Sequence, residues 1–408
     1  EVANFAYIQL KIFFMAFHEG IKRRGKISPL SFFCYYIPML FLSSIGLVDS
    51  IYLSISHYRV HSDISYSSFC ALSSSLNCDT VSSSPYAIFL GIPLAIWGLI
   101  GFLLILYILI LSGVQGNEKN RFWPLLFWIA LTYSICSLIL AGVSTLLLNS
   151  YCIMCILVYL VNFSLLYYAW FINRRFGDIG LLYGLVADLR HLWTNRKSLF
   201  SVASVIIVII SGYAFGMPEY WNMNPPPSPK SMSYGITGEG HPWIGAEEPK
   251  LIIKEYTDYL CTQCRIKHFF LRRLIAEHPN QIRLIHYHFP MDQKFNPLLE
   301  KPYHVGSGVL ALFSLYAQAH DKFWEANDMF FQMGHSLGEI GSKVIAEKLN
   351  IPARGLYNAP NNRHLLYKLR SDIKRSLELG LTGTPGYEIN GEVFQGYIPR
   401  RILEDFLE

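Results

Sequence analysis

Cys152-Ile-Met-Cys155 stands at the head of an uncharged run that continues unbroken to Ile172, CIMCILVYLVNFSLLYYAWFI. About 20 mostly apolar residues cross a bilayer as one helix, so this run reads as a membrane span with a cysteine pair at its mouth. Working outward, four further stretches qualify: Ser31–Ile55, Tyr86–Leu111 and Phe122–Leu148 before it, and Leu199–Phe215 after it. The last is short but uncharged. Phe5–Phe17 is interrupted by Gln9 and Lys11 and reads as an interfacial helix. The composition agrees, since 52% of the 408 residues are hydrophobic, too apolar for an ordinary soluble chain. The net charge of +5 is modest. Most early basic residues sit in short loops beside apolar runs, so nucleic acid gains no support as a partner. The chain starts at Glu1 rather than Met, so trimming or processing is expected and a missing leader stays open.

The loops set an orientation. Lys22, Arg23, Arg24 and Lys26 precede the first span, Lys119 and Arg121 separate spans two and three, and Arg174, Arg175, Arg190, Arg196 and Lys197 separate spans four and five. The opposite loops hold only Arg59. The positive-inside rule puts the basic set in the cytoplasm. Cys70, Cys78, Cys152 and Cys155 then face outside, as does everything after the fifth span. That side is the oxidising compartment.

Of the eight cysteines, six form close pairs: Cys70 with Cys78, Cys152 with Cys155, and Cys261 with Cys264. Cys34 and Cys136 stand alone in apolar runs and read as small hydrophobes. Zinc remains an alternative for the pairs, either as a half-site at Cys261 and Cys264 or as one Cys₄ site on the outer face. The third pair on the same side favours electron relay, so no metal is expected.

Met217–Pro249, with Pro225-Pro226-Pro227, reads as a semi-stiff tether. Beyond it, Leu251-Ile-Ile-Lys-Glu-Tyr256 is strand-like and is followed by Cys261-Thr-Gln-Cys264 and a helical pattern to His278. Gln281–Phe289 reads as a second strand. Tyr303–Leu379 is largely helical, and Tyr387–Asn390, the Asn390-Gly391 turn and Glu392–Gln395 read as a hairpin before a final helix. A CxxC that opens a helix after a strand is the arrangement of a thioredoxin-like redox site. The helix N-terminus favours a thiolate on Cys261, making it the attacking sulfur, and Cys264 one turn on can resolve a mixed disulfide.

Cys261-Thr-Gln-Cys264, His288-Phe-Pro-Met291, Lys322-Phe-Trp-Glu325, Gly380-Leu-Thr-Gly-Thr-Pro385 and Glu388-Ile-Asn-Gly391 resemble the DsbA-like branch of the thioredoxin superfamily. The resemblance implies that Pro385 is cis and lies against the active-site cysteines, with Thr384 offering backbone groups to a bound thiol substrate. Thr262 and Gln263 depart from the Pro-His or Gly-Pro pairs of relatives, and these positions tune redox potential.

The loop pair Cys70 and Cys78, Cys78-Asp-Thr-Val-Ser-Ser-Ser84, Tyr86-Ala87, Gly91-Ile-Pro-Leu94 and the CxxC at span four resemble the vitamin K epoxide reductase family over residues 31–172. This implies a quinone-proximal pair, Cys152 and Cys155, with Cys155 in charge-transfer contact with quinone. It also implies a shuttle pair, Cys70 and Cys78, with Cys78 exchanging with Cys152 and Cys70 with Cys261. The Ser65–Ser84 loop, rich in serine, reads as flexible enough to swing between partners. Ser84 either hydrogen-bonds near the quinone or caps span two ahead of Pro85, and the two roles are compatible.

The fold class expected is therefore a membrane α-helical bundle, four core helices plus a fifth linking span, followed by an α/β thioredoxin-like domain with a helical insertion. The expected division is 1–29 cytoplasmic or interfacial, 30–173 the four-helix domain, 174–216 a basic loop and fifth span, 217–249 linker, and 250–408 the thioredoxin-like domain. The function expected is oxidation of exported or secreted proteins carrying reduced cysteines, with electrons passing to ubiquinone or menaquinone. The setting is the bacterial inner membrane, with the thioredoxin-like domain periplasmic. The catalytic set is Cys70, Cys78, Cys152, Cys155, Cys261, Cys264 and Pro385, with Cys155 and Ser84 at the quinone. The rivals are a membrane reductase or isomerase, which would need cysteines reachable from the inner face, a thiol-binding module without turnover, and vitamin K epoxide reduction itself.

Overall fold

The computed structural model describes residues 32–71, 76–114, 122–176, 179–194, scattered positions between 200 and 212, 219–221, 226–334 and 341–407. The N-terminal part consists of α1 (Phe33–Ser62), the short α2 (Cys78–Ser83), α3 (Leu94–Val114), α4 (Trp123–Val143), α5 (Ile153–Phe176) and α6 (Leu181–Thr194). Among these, α1, α3, α4 and α5 are long and apolar enough to cross a membrane. Their inward residues, including Met39, Phe102, Trp123 and Leu165, form one core. Ile37, Phe41, Val48, Leu138 and Ile139 face outward and are exposed in the protein alone. Helices that are apolar all round are at home in lipid. At Gly46 an added Cβ would lie 2.3 Å from the Phe102 ring, so glycine lets α1 and α3 approach closely.

Several boundaries differ from the sequence reading. α1 runs to Ser62 rather than Ile55, because no breaker intervenes before Asp63. Span two starts at Leu94, not Tyr86. The residues before it form a 3₁₀ turn, Pro85–Ala87, and a small hairpin of β1 (Ile88–Phe89) with β2 (Ile92–Pro93). Leu90 and Gly91 both take positive φ at its turn. Ser84 therefore does not cap span two, and its hydroxyl instead donates back to the Val81 carbonyl at 2.8 Å. The end of span three, Ser144–Leu148, is a π-turn. The basic segment after span four contains α6, whose Asp188 carboxylate accepts the Phe122 and Leu125 backbone N–H groups at the start of α4, at 3.3 and 3.2 Å. Most of the expected fifth span and all of Phe5–Phe17 lie outside the described residues.

The C-terminal part is a six-stranded sheet in the order β3-β4-β6-β5-β7-β8. The strands are β3 (Tyr234–Ile236), β4 (Pro242–Gly245), β5 (Leu251–Thr257), β6 (Ile282–His288), β7 (Gly386–Ile389) and β8 (Glu392–Gln395). β5 and β6 are parallel, and the crossover a parallel pair needs is α7 (Thr262–Glu277). The other neighbours pair antiparallel. Between β6 and β7 lie α8 (Ser307–Gln318), α9 (Phe323–Met333), α10 (Ser342–Leu349), α11 (Ala353–Asn358) and α12 (Arg363–Glu378), and α13 (Arg400–Leu407) closes the chain. The turn between β7 and β8 has positive φ at both Asn390 and Gly391, as a two-residue hairpin requires.

The segment read as a tether, 217–249, is corrected by this sheet. It supplies β3 and β4, and β4 pairs directly with β6. Arg272 also holds the Pro227 carbonyl at 3.0 Å, so the chain joins the domain well before residue 250.

Candidate active site: three cysteine pairs

Both CxxC sequences occupy the same place on a helix. Cys261 is the N-cap of α7, extended at φ −79° and ψ 114°, and its sulfur accepts the Cys264 backbone N–H at 3.3 Å. Its carbonyl accepts the Arg265 N–H at 3.1 Å. Ahead of α5, the Cys152 sulfur accepts the Cys155 N–H at 3.0 Å and its carbonyl accepts the Ile156 N–H at 3.0 Å. A sulfur thus stands where a capping oxygen usually does, facing the unpaired N–H groups and positive end of the helix.

The loop pair completes the row. Cys70 and Cys78 are disulfide-bonded with Cα atoms 5.6 Å apart, and Cys152 and Cys155 likewise at 5.2 Å. Cys70, Cys78 and Cys152 form one buried cluster packed with Leu53, Val81, Met154 and Cys155. The loop, expected to swing, is anchored at its described ends. The Asn77 side chain caps α2 by accepting the Thr80 N–H at 3.0 Å, and the Asp79 carboxylate accepts the Ser68 N–H at 3.0 Å. Leu76 bridges to Tyr151, next to Cys152.

Cys261 and Cys264 are free thiols in the core of their domain. The Thr384–Pro385 bond is cis, and the Cys261 sulfur lies 3.6 Å from the Thr384 carbonyl oxygen. Burial opposes a charge on Cys261. The hydrogen bond from Cys264 and the charge of His304 outweigh it and pull the Cys261 thiol below its ordinary value. Burial pushes the Cys264 thiol well up, with its Cys261 neighbour adding to the effect. Cys261 is therefore the more readily ionised of the two sulfurs, and Cys264 the one that keeps its proton.

His304 is the local cation. Its Nδ1 lies 3.1 Å from the Asp258 carboxylate, which is buried and also accepts the Leu260 and Met291 backbone N–H groups. Burial disfavours a charged His304, but Asp258 beside it wins and raises its pKa. Burial likewise opposes ionisation of Asp258, and His304 reverses this. Deeper under the site, Glu255 Oε1 pairs with His268 at 2.9 Å and His286 at 3.0 Å.

Two cavities adjoin the sulfurs. The first, of about 360 Å³, lies between the bundle end and the sheet domain and is lined by Ala71, Asn77, Thr80, Cys261, His304 and Thr384 among others. The second, of about 130 Å³, opens within the bundle and is walled by Leu53, Val81, Leu94, Leu140 and Val158, with Cys78, Cys152 and Cys155 on it. His57 also lines it, and its Nε2 is buried without a hydrogen-bond partner among the described residues, while Nδ1 lies 2.7 Å from the Tyr220 hydroxyl. Ser84 borders both cavities.

The six paired cysteines and Pro385 thus fall in two sites on facing surfaces, whereas Cys34 and Cys136 lie on the outer surface of the bundle and in neither disulfide. Sequence reading passed over Asp258, His304, Glu255 and His57. Glu255 and Asp258 carried a faint signal, as carboxylates just ahead of a CxxC, the first within a strand otherwise built for burial and the second just past its end. His304 and His57 carried none, since only the fold brings them in. Among the described residues no cluster of three or more His, Cys, Asp or Glu is suited to hold a metal ion.

Residues 37–170 match the vitamin K epoxide reductase family. Solved structures similar to the C-terminal part include a thioredoxin-like oxidoreductase from Silicibacter pomeroyi DSS-3, 22% identical over 41% of this chain and 90% of that one, TM-score 0.35. Others are Wolbachia pipientis alpha-DsbA1, 16% identical over 42% and 90%, TM-score 0.33, and Pseudomonas aeruginosa DsbA2, 18% identical over 40% and 91%, TM-score 0.32. The fold of that part stands on its own sheet order, its CxxC helix and its cis-proline. Together the two halves support thiol–disulfide oxidoreductase activity in a membrane protein. Residues 37–170 are a vitamin K epoxide reductase family domain, carried in one chain with a thioredoxin-fold domain.

Proposed function

We propose that the chain is a quinone-dependent thiol oxidase that forms disulfides in exported proteins. The observation that carries this reading is the row of sulfurs: the loop pair and the membrane CxxC share one buried cluster, and the CxxC helix of the other domain faces the same loop. An exported dithiol reduces the Cys261–Cys264 disulfide and leaves oxidised. The Cys261 thiolate then attacks Cys70, the Cys70–Cys78 bond breaks, and Cys78 leaves as a thiolate. Cys264 gives up its proton, attacks Cys261 and releases Cys70, so two electrons have moved to the loop pair. Cys78 attacks Cys152 and Cys155 leaves as a thiolate; Cys70 then attacks Cys78, the Cys78–Cys152 bond breaks, and Cys152 leaves as the second thiolate. Each step is thiolate attack through a mixed disulfide.

The bundle cavity fits a quinone ring. Its walls are apolar, Cys155 stands on it, and the unpartnered His57 Nε2 would meet a ring oxygen. A quinone held there would supply a two-electron, two-proton sink for the Cys152 and Cys155 thiols. With the Tyr220 hydroxyl donating to Nδ1, His57 would carry its proton at Nε2; Ser84 edges the cavity, and apolar walls surround the Cys155 sulfur. We assign residues 30–173 to this half, residues 226–408 to the thiol-accepting half, and the latter to the periplasmic side of a bacterial cytoplasmic membrane.

A Cys264→Ala chain should accumulate a Cys70–Cys261 mixed disulfide, seen by mass mapping. No such cross-link, or a cross-link to a different loop cysteine, overturns the order of transfer. Quinol formation from a reduced, unfolded thiol substrate should vanish in Cys155→Ala.

A further inference from the structure

Gln263 is the third residue of Cys261-Thr-Gln-Cys264, yet its side-chain N–H group donates into the other domain. Nε2 donates to the Thr80 hydroxyl at 3.0 Å and lies 3.4 Å from the Asn77 side-chain oxygen. Thr80 is in α2 and Asn77 is its cap, so both acceptors belong to the helix that begins at Cys78. Gln263 is only 7% exposed. A buried amide costs free energy unless its hydrogen bonds are made, and those available here come from across the interface. One turn further along α7, the buried Lys267 Nζ donates to the Asp63 carbonyl just past α1, at 2.8 Å. Near by, the Ile398 N–H meets the Ile64 carbonyl at 3.4 Å, and Ile64 packs into the core of the thioredoxin-fold domain.

We propose that Gln263 is a docking residue, which selects the loop as the partner of Cys261 by reading the cap of α2. The inference rests on the relay proposed above and deepens it. Cys261, at the N-cap, and Gln263, two residues on, share the first turn of α7, at the interface with the bundle. Whatever holds Gln263 on Asn77 and Thr80 sets Cys261 beside Ala71, the neighbour of Cys70, in the same cavity. The residue between the cysteines thus acts on partner choice and orientation. In the docked arrangement Cys261 is 8% exposed, and the cavity it lines is walled on one side by the loop. An exported thiol must reach Cys261 while Gln263 is released, so loop and substrate alternate on one surface.

The test is a double-mutant cycle in the full-length chain in nanodiscs, with Gln263→Ala, Thr80→Val and the pair. Two quantities are read: the rate of electron transfer from a pre-reduced Cys261–Cys264 pair to the loop, by acid quench and mass spectrometry, and the equilibrium potential of that pair against glutathione. Each single change should slow the transfer about tenfold, and the double change should add little, since both remove one contact. The Cys261–Cys264 potential should stay constant. Alkylation of Cys261 should quicken in all three variants as the interface loosens. Additive effects, or a slower transfer fully explained by a shifted potential, would overturn the docking role and make Gln263 a redox-tuning residue. If the unmutated chain transfers no electrons to the loop, the relay itself fails. If it transfers them and the variants match it, only the docking role fails.

Discussion

A cysteine at the cap of α7 gains from its neighbours what the residues between its sulfurs do not offer. Thr262 and Gln263 bring no positive charge, and His304, held by Asp258, supplies it from across the site. The signs follow from the directions of shift. The Cys261 pKa lies below its ordinary 9.0, so the thiolate stabilises the reduced fold fully above pH 9.0, and this is lost as pH falls through the lowered value. His304 is raised above its ordinary 6.5, so its contribution is full below pH 6.5 and lost as pH rises through the raised value. The two shifts run toward each other, each group favouring the charged form of the other. His304→Gln should therefore move the pH profile of Cys261 alkylation upward and slow the reaction near neutral pH by about tenfold, one pKa unit. An unmoved profile would leave the helix end as the main source of stabilisation. In the bundle, His57→Phe should weaken quinone binding about fivefold, the worth of one hydrogen bond, read by equilibrium binding to the chain with its cysteines oxidised.

Among the elements, the start of α4 depends on a side chain from a different helix. The first N–H groups of a helix lack partners inside it, and Asp188 of α6 accepts two of them. Asp188→Ala should cost about 1 kcal/mol of bundle stability, measured by thermal unfolding in detergent, while Asp188→Asn, which keeps an acceptor, should cost less. Electron transfer between Cys261 and the loop should be unaffected. The elements also show what a sequence can disclose. β5, α7 and the closing hairpin were legible because strand pattern, CxxC and Asn390-Gly391 are all local signals. β3 and β4 were not, because short strands among prolines and glycines take their structure from β6 rather than from their own residues. The start of span two was misjudged for a related reason: residues 86–93 are apolar enough for a helix, but Pro85, Gly91 and Pro93 turn them into a hairpin. The cysteine pairs were plain, whereas their supporting His57, Asp258 and His304 had to await the fold.

For the whole molecule, the sidedness proposed from the basic loops has a direct check. With Tyr367, an exposed residue of α12, changed to Cys in a chain lacking its other cysteines, a membrane-impermeant maleimide should label intact cells whose outer membrane has been opened. Labelling only after the inner membrane is broken would reverse the topology. The recruitment of the proline-rich segment into the sheet has a mechanical corollary. The chain is held to α1 at Tyr220 and to the thioredoxin-fold domain from Pro227 onward. Seven residues reach at most about 25 Å, so the chain length alone keeps the domain within that distance of α1. Cys261 meets its loop at a high effective molarity that dilution does not change. Under the proposed relay, passing electrons from Cys261 to the loop is then a first-order event within each chain, so its rate per chain does not depend on how many copies the membrane holds.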